Sequence, residues 1–278
     1  MSSKFRVAVG YNRAEEPVLK LLCARMLEDA FRRREDCILA TDSLDLAVNT
    51  LPLGEIHQGT VTAWWDIESC TYQKREYFNS DLVLVPYHGE TKYPADRTYL
   101  FPFATDPEHW RYHPCVPEYD VGFLGREDCD RTRRARTLKT LQEYFGDRML
   151  RTNNIERGEP ASRLLSKCRI TLCPMGDALG GVMETRFFEI STIQPMAVEV
   201  TETNSSDLQW AATPGAHYIP YSEDAELIYT LERYLQNPHE LQTLALAARR
   251  HFSRHHTYDS RAAELLELVQ TGKGLSPF

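Results

Sequence analysis

Apolar residues fall along this chain in short runs, and stretches with helical spacing separate them. FRVAVG at residues 5–10 reads as a buried strand. Residues 15–34 follow, with Val18, Leu22, Met26, Leu27 and Ala30 largely on one helical face. CILAT, VTAWWDI, DLVLVPY and TYLFPFA are further apolar runs, divided by turn-rich or charged segments. Short apolar runs alternating with other elements predict a mostly parallel sheet with both faces covered.

The segment ATDPEHWRYHPCVPEYD interrupts this alternation with three prolines and no long apolar run. It predicts a linker over residues 109–118 and two domains, 1–114 and 115–278. The alternation then restarts. DVGFLGR reads as strand and turn, and residues 133–145 as a helix with Leu138, Leu141, Tyr144 and Phe145 inward. DRMLRTN is a strand, 160–167 a short helix, CRITLCPM a strand, 184–192 a helix, and MAVEV and HYIPY strands. Helices over 225–236, 239–254 and 260–270 close the chain, their leucines spaced to pack on a sheet. The expected architecture is α/β, two Rossmann-like domains with a cleft between them.

Composition narrows the classes of function. The 278 residues allow a substantial core, and 42% hydrophobic with 26% charged residues is ordinary for a globular protein. A formal charge of −8 argues against a broad nucleic-acid-binding face, although RTRRAR at 131–136 is a local basic cluster suited to an anion. No apolar run reaches the roughly 20 residues that span a bilayer, and the chain enters a strand without a signal-like region, so the expectation is a cytoplasmic protein without an integral membrane segment. Seven cysteines form no CxxC pair and read as reduced, mostly buried thiols rather than a metal site.

The stretch LCPMGDALGGVMETRFFEISTIQPMAVEV, residues 172–200, carries the most chemical information. It reads as a strand, a glycine-containing loop, a helix bearing Arg and Glu, and another strand. That order sets a loop, a helix start and two charged side chains at the carboxyl edge of a parallel sheet, where open α/β sheets bind nucleotides and phosphates. Gly180 and Gly181 in GDALGG lack a Cβ and can bring backbone N–H groups close to phosphate oxygens. Arg186 and Glu189 are three residues apart and project from nearly one helical face. Arg186 then either contacts an anion or pairs within the helix.

With GFLGR at 122–126, ETRFFEI at 184–190, HYIPY at 217–221 and RHHTYDSRAAELLELV near the end, the second half resembles the donor-binding domain of GT-B glycosyltransferases. It is most similar to the CgeB-type (spore-maturation-like) group, and LCPMGD…RFFE also resembles exostosin-type transferases. The likeness covers residues 120–269. It implies a metal-independent hexosyl- or pentosyltransferase of glycan biosynthesis, with a nucleotide-diphosphate sugar as substrate and no cofactor. The acceptor is a hydroxyl of a glycan or small molecule. The resemblance places Arg126 against the diphosphate, with a second cation at Arg131 or Arg133, and Glu189 on the ribose hydroxyls. In many retaining relatives a further glutamate precedes that one by eight positions. Gly181 stands there in this chain, and Glu184 is nearby but out of register.

On the acceptor side, Asp66 and Glu68 alternate at a strand end and His88 follows another, so each is a candidate base. Gly10, Tyr11 and Asn12 follow the first strand, where ligands approach such folds. Trp64 and Trp65 suit either a sugar-stacking face or a core. His255 and His256 are adjacent and share no helical face, which favours a structural role over a metal. The competing function is a non-catalytic nucleotide-responsive or partner-binding module of the same architecture. A dinucleotide-dependent epimerase is disfavoured because GYNRAE after Val9 is no G-x-G-x-x-G turn.

Overall fold

The computed structural model describes residues 4–10, 19–40, 42–50, 59–65, 80–86, 93–125, 133–153, 155–174, 185–202 and 204–272. The chain divides into two compact units, 1–104 with 258–278, and 105–257.

The first unit is built on β1 (Phe5–Gly10), β2 (Cys37–Leu39), β3 (Leu44–Thr50), β4 (Gly59–Trp65), β5 (Leu82–Val85) and β6 (Thr98–Leu100). They form one parallel sheet in the order β2-β1-β3-β4-β5-β6. Central strand β3 is absent from the apolar runs picked out above. It ends in Asn49 and Thr50, both buried, and the Thr50 hydroxyl donates to the Gly10 carbonyl at 3.1 Å. Polar residues at a buried strand end hide it from a hydrophobic pattern. Helix α1 (Leu19–Arg33) buries Met26, Leu27, Ala30 and Phe31.

Contacts correct one expectation and decide between two alternatives left open. The last helix, α8 (Tyr258–Thr271), belongs to the first unit rather than to the domain expected over 115–278. It packs on α1, where Arg33 meets Asp259 at 3.0 Å, and Tyr258 lies 6.4 Å from Trp65. Trp64 and Trp65 are both buried, and Trp65 stands edge-on to Phe101 with centroids 5.2 Å apart, so they are core.

The second unit holds β7 (Tyr119–Leu124), β8 (Met149–Thr152), β9 (Cys168–Cys173), β10 (Met196–Glu199) and β11 (Ile219–Tyr221), parallel in the order β11-β10-β9-β7-β8. Val121, Phe123, Ile170, Leu172, Ala197, Ile219 and Tyr221 recur at the strand period of two. They pack against α2 (Arg133–Phe145) and α6 (Asp224–Leu235) through Leu138, Leu141, Phe145, Leu227 and Leu231. Tyr144 is 49% exposed, not inward as the spacing suggested, because Phe145 takes the buried position. Phe187 and Phe188 of α4 (Thr185–Ile190) meet Phe252 of α7 (Pro238–His255) in edge-on pairs.

The expected linker is part of this second unit. The Arg111 and His113 amides donate at 2.9 Å to the hydroxyls of Ser162 and Ser166, which flank the end of α3 (Glu159–Leu165), and the Glu118 amide donates to Lys167 at 2.7 Å. Two serines thus tie a proline-rich stretch that reads as free coil. The division comes earlier in the chain, at 104–105.

Beyond α5 (Ser205–Ala211), a helix the periodicity did not reveal, His217 stacks on His251 with centroids 4.2 Å apart. The Thr213 amide donates to His217 Nδ1 at 3.0 Å, which requires an unprotonated nitrogen there. Burial, with the neighbouring His251 ring second, holds the His217 pKa below its ordinary value. With the folded value depressed, the stabilisation is complete above the unfolded pKa and is lost as pH falls through the folded one. Thermal melts are expected to hold above the ordinary imidazole value of about 6.5 and to drop as pH falls below it. His217→Gln should flatten that slope; an unchanged slope would exclude this pair as its source.

Candidate functional site

The carboxyl ends of the second sheet carry a row of guanidinium groups, each held by the backbone or by a buried carboxylate. At the end of β7, Arg186 from α4 donates through Nε to the Leu124 carbonyl at 2.9 Å and stacks 5.0 Å above Phe123. At the end of β9, Arg134 donates to the Pro174 carbonyl at 3.2 Å. At β10 and β11, Arg133 pairs through Nε with Glu199 at 2.5 Å and donates through Nη2 to the Ser222 carbonyl. Neighbouring strands are about 4.8 Å apart, so β7, β9 and β10 carry these side chains along one edge of the sheet.

Both glycines of GFLG have a physical reason. A Cβ on Gly122 would lie 2.3 Å from Cys168 Sγ, so the strand's close approach to β9 excludes any side chain. Gly125 has φ +158, and a Cβ there would lie 2.2 Å from Arg186 Nη2. The absent side chain leaves the space that the guanidinium fills, so the turn and Arg186 form one unit.

One helical turn beyond Arg186, Glu189 is buried and paired with Arg157, whose guanidinium lies 5.6 Å from the Trp110 ring centre. The carboxylate expected on ribose hydroxyls is thus already held by a cation from the segment after β8.

Of the donor-site and base candidates singled out from sequence, the structure places Arg133, Arg186 and Glu189; Tyr11 and Asn12, after the first strand, lie outside the described residues. Asp66, Glu68, His88, Arg126, Arg131, Gly180, Gly181 and Glu184 lie outside the described residues. Arg134, Arg157 and Glu199 were not singled out. Arg134 stands inside the basic cluster RTRRAR, a signal in plain view, whereas nothing local marks Arg157 or Glu199.

Tyr221 is buried at the end of β11, and its hydroxyl has no hydrogen-bond partner among the described residues. Burial first, and Glu199 second, push its pKa well above the usual phenol value. A pocket of about 310 Å³ opens beside edge strand β11, lined by Gln209, Tyr218, Pro220, Ser222 and Glu226 among others. No guanidinium lines it, so an anion is better served by the arginine row.

Among the described residues, no group of three or more His, Cys, Asp or Glu could hold a metal ion. The five described cysteines are free thiols, four of them buried, and burial pushes Cys168 up to about 12. No helix of the described residues is long and apolar enough to cross a membrane.

Residues 131–267 match a family model described as glycosyl transferase-like. No curated protein matches the sequence. Several solved structures share the architecture. Alr3699/HepE of Anabaena, in complex with UDP and glucose, is 9% identical, with 97% of this chain and 100% of that one covered at a TM-score of 0.59. AviGT4, a glycosyltransferase involved in avilamycin A biosynthesis, is 13% identical over 96% and 97% of the two chains, with a TM-score of 0.57. Sucrose-phosphate synthase (tll1590) from Thermosynechococcus elongatus is 13% identical over 81% and 73%, with a TM-score of 0.52. The fold is GT-B, with two Rossmann-like domains.

Proposed function

We propose that this chain is a glycosyltransferase that moves a sugar from a nucleoside diphosphate donor to a hydroxyl acceptor without a divalent cation. The observation that carries the reading is the row of anchored guanidinium groups at the carboxyl edge of the second sheet. A departing diphosphate needs positive charge and preorganised donors, and Arg186, Arg134 and Arg133 supply both. Glu189 is the candidate ribose acceptor, and Arg126 the candidate first cation after the GFLG turn. Gly180 and Gly181 would bring phosphate-binding amides, with Glu184 beside them. In this reading the second unit binds the donor, and the first unit supplies the acceptor side with Asp66, Glu68 or His88 as base. The UDP complex of a chain with the same fold supports UDP-sugars as the first donors to test. The order of motifs supports a CgeB-type affiliation.

Calorimetric titration of the full chain with UDP and with GDP, in EDTA, tests the reading. Binding to at least one is expected, and Arg126→Ala should weaken it about tenfold by removing a charge-assisted contact. Absence of binding to either nucleotide would sink the proposal.

A second reading, a nucleotide-responsive module without transfer activity, is favoured by one observation: Gly181 stands where retaining relatives carry a glutamate. Donor hydrolysis or transfer to any of a panel of hydroxyl acceptors would exclude it.

A further inference from the structure

We infer that Glu199 is a positioning residue for the donor's diphosphate, acting through Arg133; this rests on the nucleotide-sugar reading above. Glu199 is the last residue of β10 and only 1% exposed, whereas the Arg133 side chain is 38% exposed. The pair therefore has a buried acidic end and an open basic end. Nε of Arg133 is committed to Glu199 and Nη2 to the Ser222 carbonyl, so the guanidinium plane is fixed against the ends of both β10 and β11.

Surrounding contacts stiffen this arrangement. The Glu199 carbonyl accepts from Asn204 Nδ2 at 3.0 Å, and Thr137, one turn along α2 from Arg133, donates its hydroxyl to Asp224 at 2.6 Å. The Ser222 amide and hydroxyl both donate to Glu226, at 3.0 and 2.9 Å, which fixes the segment whose carbonyl receives Arg133. Arg133 thus sits on a backbone held at three points. A long flexible cation loses rotamer freedom when it grips an anion, and a buried partner meets that cost in advance. If salt bridging were all this pair did, an exposed carboxylate would serve as well. Placing a charge in the interior is costly, and here it is paired with the arginine that reaches the sheet edge. Of the two arginines that the spacing left open, this assigns the second diphosphate cation to Arg133.

The test compares UDP with uridine, in EDTA, on the full chain, with GDP and guanosine substituted if the wild type prefers guanine. Glu199→Gln is expected to weaken UDP about tenfold and leave uridine unchanged, because only the diphosphate senses Arg133. In an Arg133→Gln background the same change should alter UDP affinity less than about twofold, the sign of two residues acting as one. Arg133→Lys retains the charge but lacks the planar fork, and should lose as much preference for UDP over uridine as Arg133→Gln does. The lysine variant also keeps the question open to test should Glu199→Gln fail to fold. Equal losses for UDP and uridine, additive effects, or full UDP preference in Arg133→Lys would overturn the inference. A wild-type chain that binds no nucleoside diphosphate would instead overturn the reading beneath it.

Discussion

Arg157→Ala is expected to lower the folding stability of the chain by about 3 kcal/mol, because it takes the guanidinium from a buried carboxylate. Glu189 is 4% exposed, and Arg157 is its ion-pair partner from the segment that follows β8. Most of the loss is the penalty of a charge left in the interior rather than the net worth of the pair. The double variant Arg157→Ala/Glu189→Gln removes that charge and is expected to recover more than half of the loss. Denaturant melts of the wild type, both single variants and the double variant complete the cycle. Additive losses would show that the pair is not coupled and that Arg157 acts through its packing on Trp110 instead. Nucleotide titration of the same four proteins separates the two duties of Glu189. A ribose contact requires the carboxylate itself, so the double variant should regain stability without regaining affinity.

That split also marks what could be read in the sequence. Strands β7, β9 and β10 are apolar runs bounded by glycine, proline or charge, and their alternation with helices was enough for two parallel sheets. Arg186 and Glu189 were legible because a strand, a loop and a helix fix where their side chains emerge. Their partners were not. Arg157 lies 32 residues from Glu189 and Glu199 lies 66 from Arg133, with no periodic pattern joining them. Only the packing of the sheet brings such pairs together. The division of the chain failed to show for a related reason. Prolines near residues 107–117 suggested a linker, yet Ser162 and Ser166 satisfy its backbone amides from α3. A proline-rich segment becomes ordered when side chains elsewhere supply the partners that its own chain lacks. Likewise, β3 was overlooked because Asn49 and Thr50 are polar residues in a buried strand.

The glycine turn after β7 gives the largest expected effect on ligand binding. Gly125→Ala should weaken nucleoside diphosphate binding by about a hundredfold while costing about 1–2 kcal/mol of stability. The new Cβ would lie 2.2 Å from Arg186 Nη2 and 3.0 Å from Phe123 Cζ. The ring is fixed in the core with no exposure, so the guanidinium is the group that must move. Moving it breaks the 2.9 Å bond to the Leu124 carbonyl and the stacking on Phe123, and takes the cation from the end of β7. A small stability cost and a large affinity cost are the signature of a displaced ligand contact; a fold defect would reverse their order. Arg186→Ala should weaken binding to a similar degree, and Gly125→Ala should then add less than about twofold on top of it. Strong binding by Gly125→Ala would mean that Arg186 holds the turn and leaves the diphosphate to other cations. In that case the loss should pass to Arg133 and Arg134, and charge-removing variants of those two would identify which one takes the role.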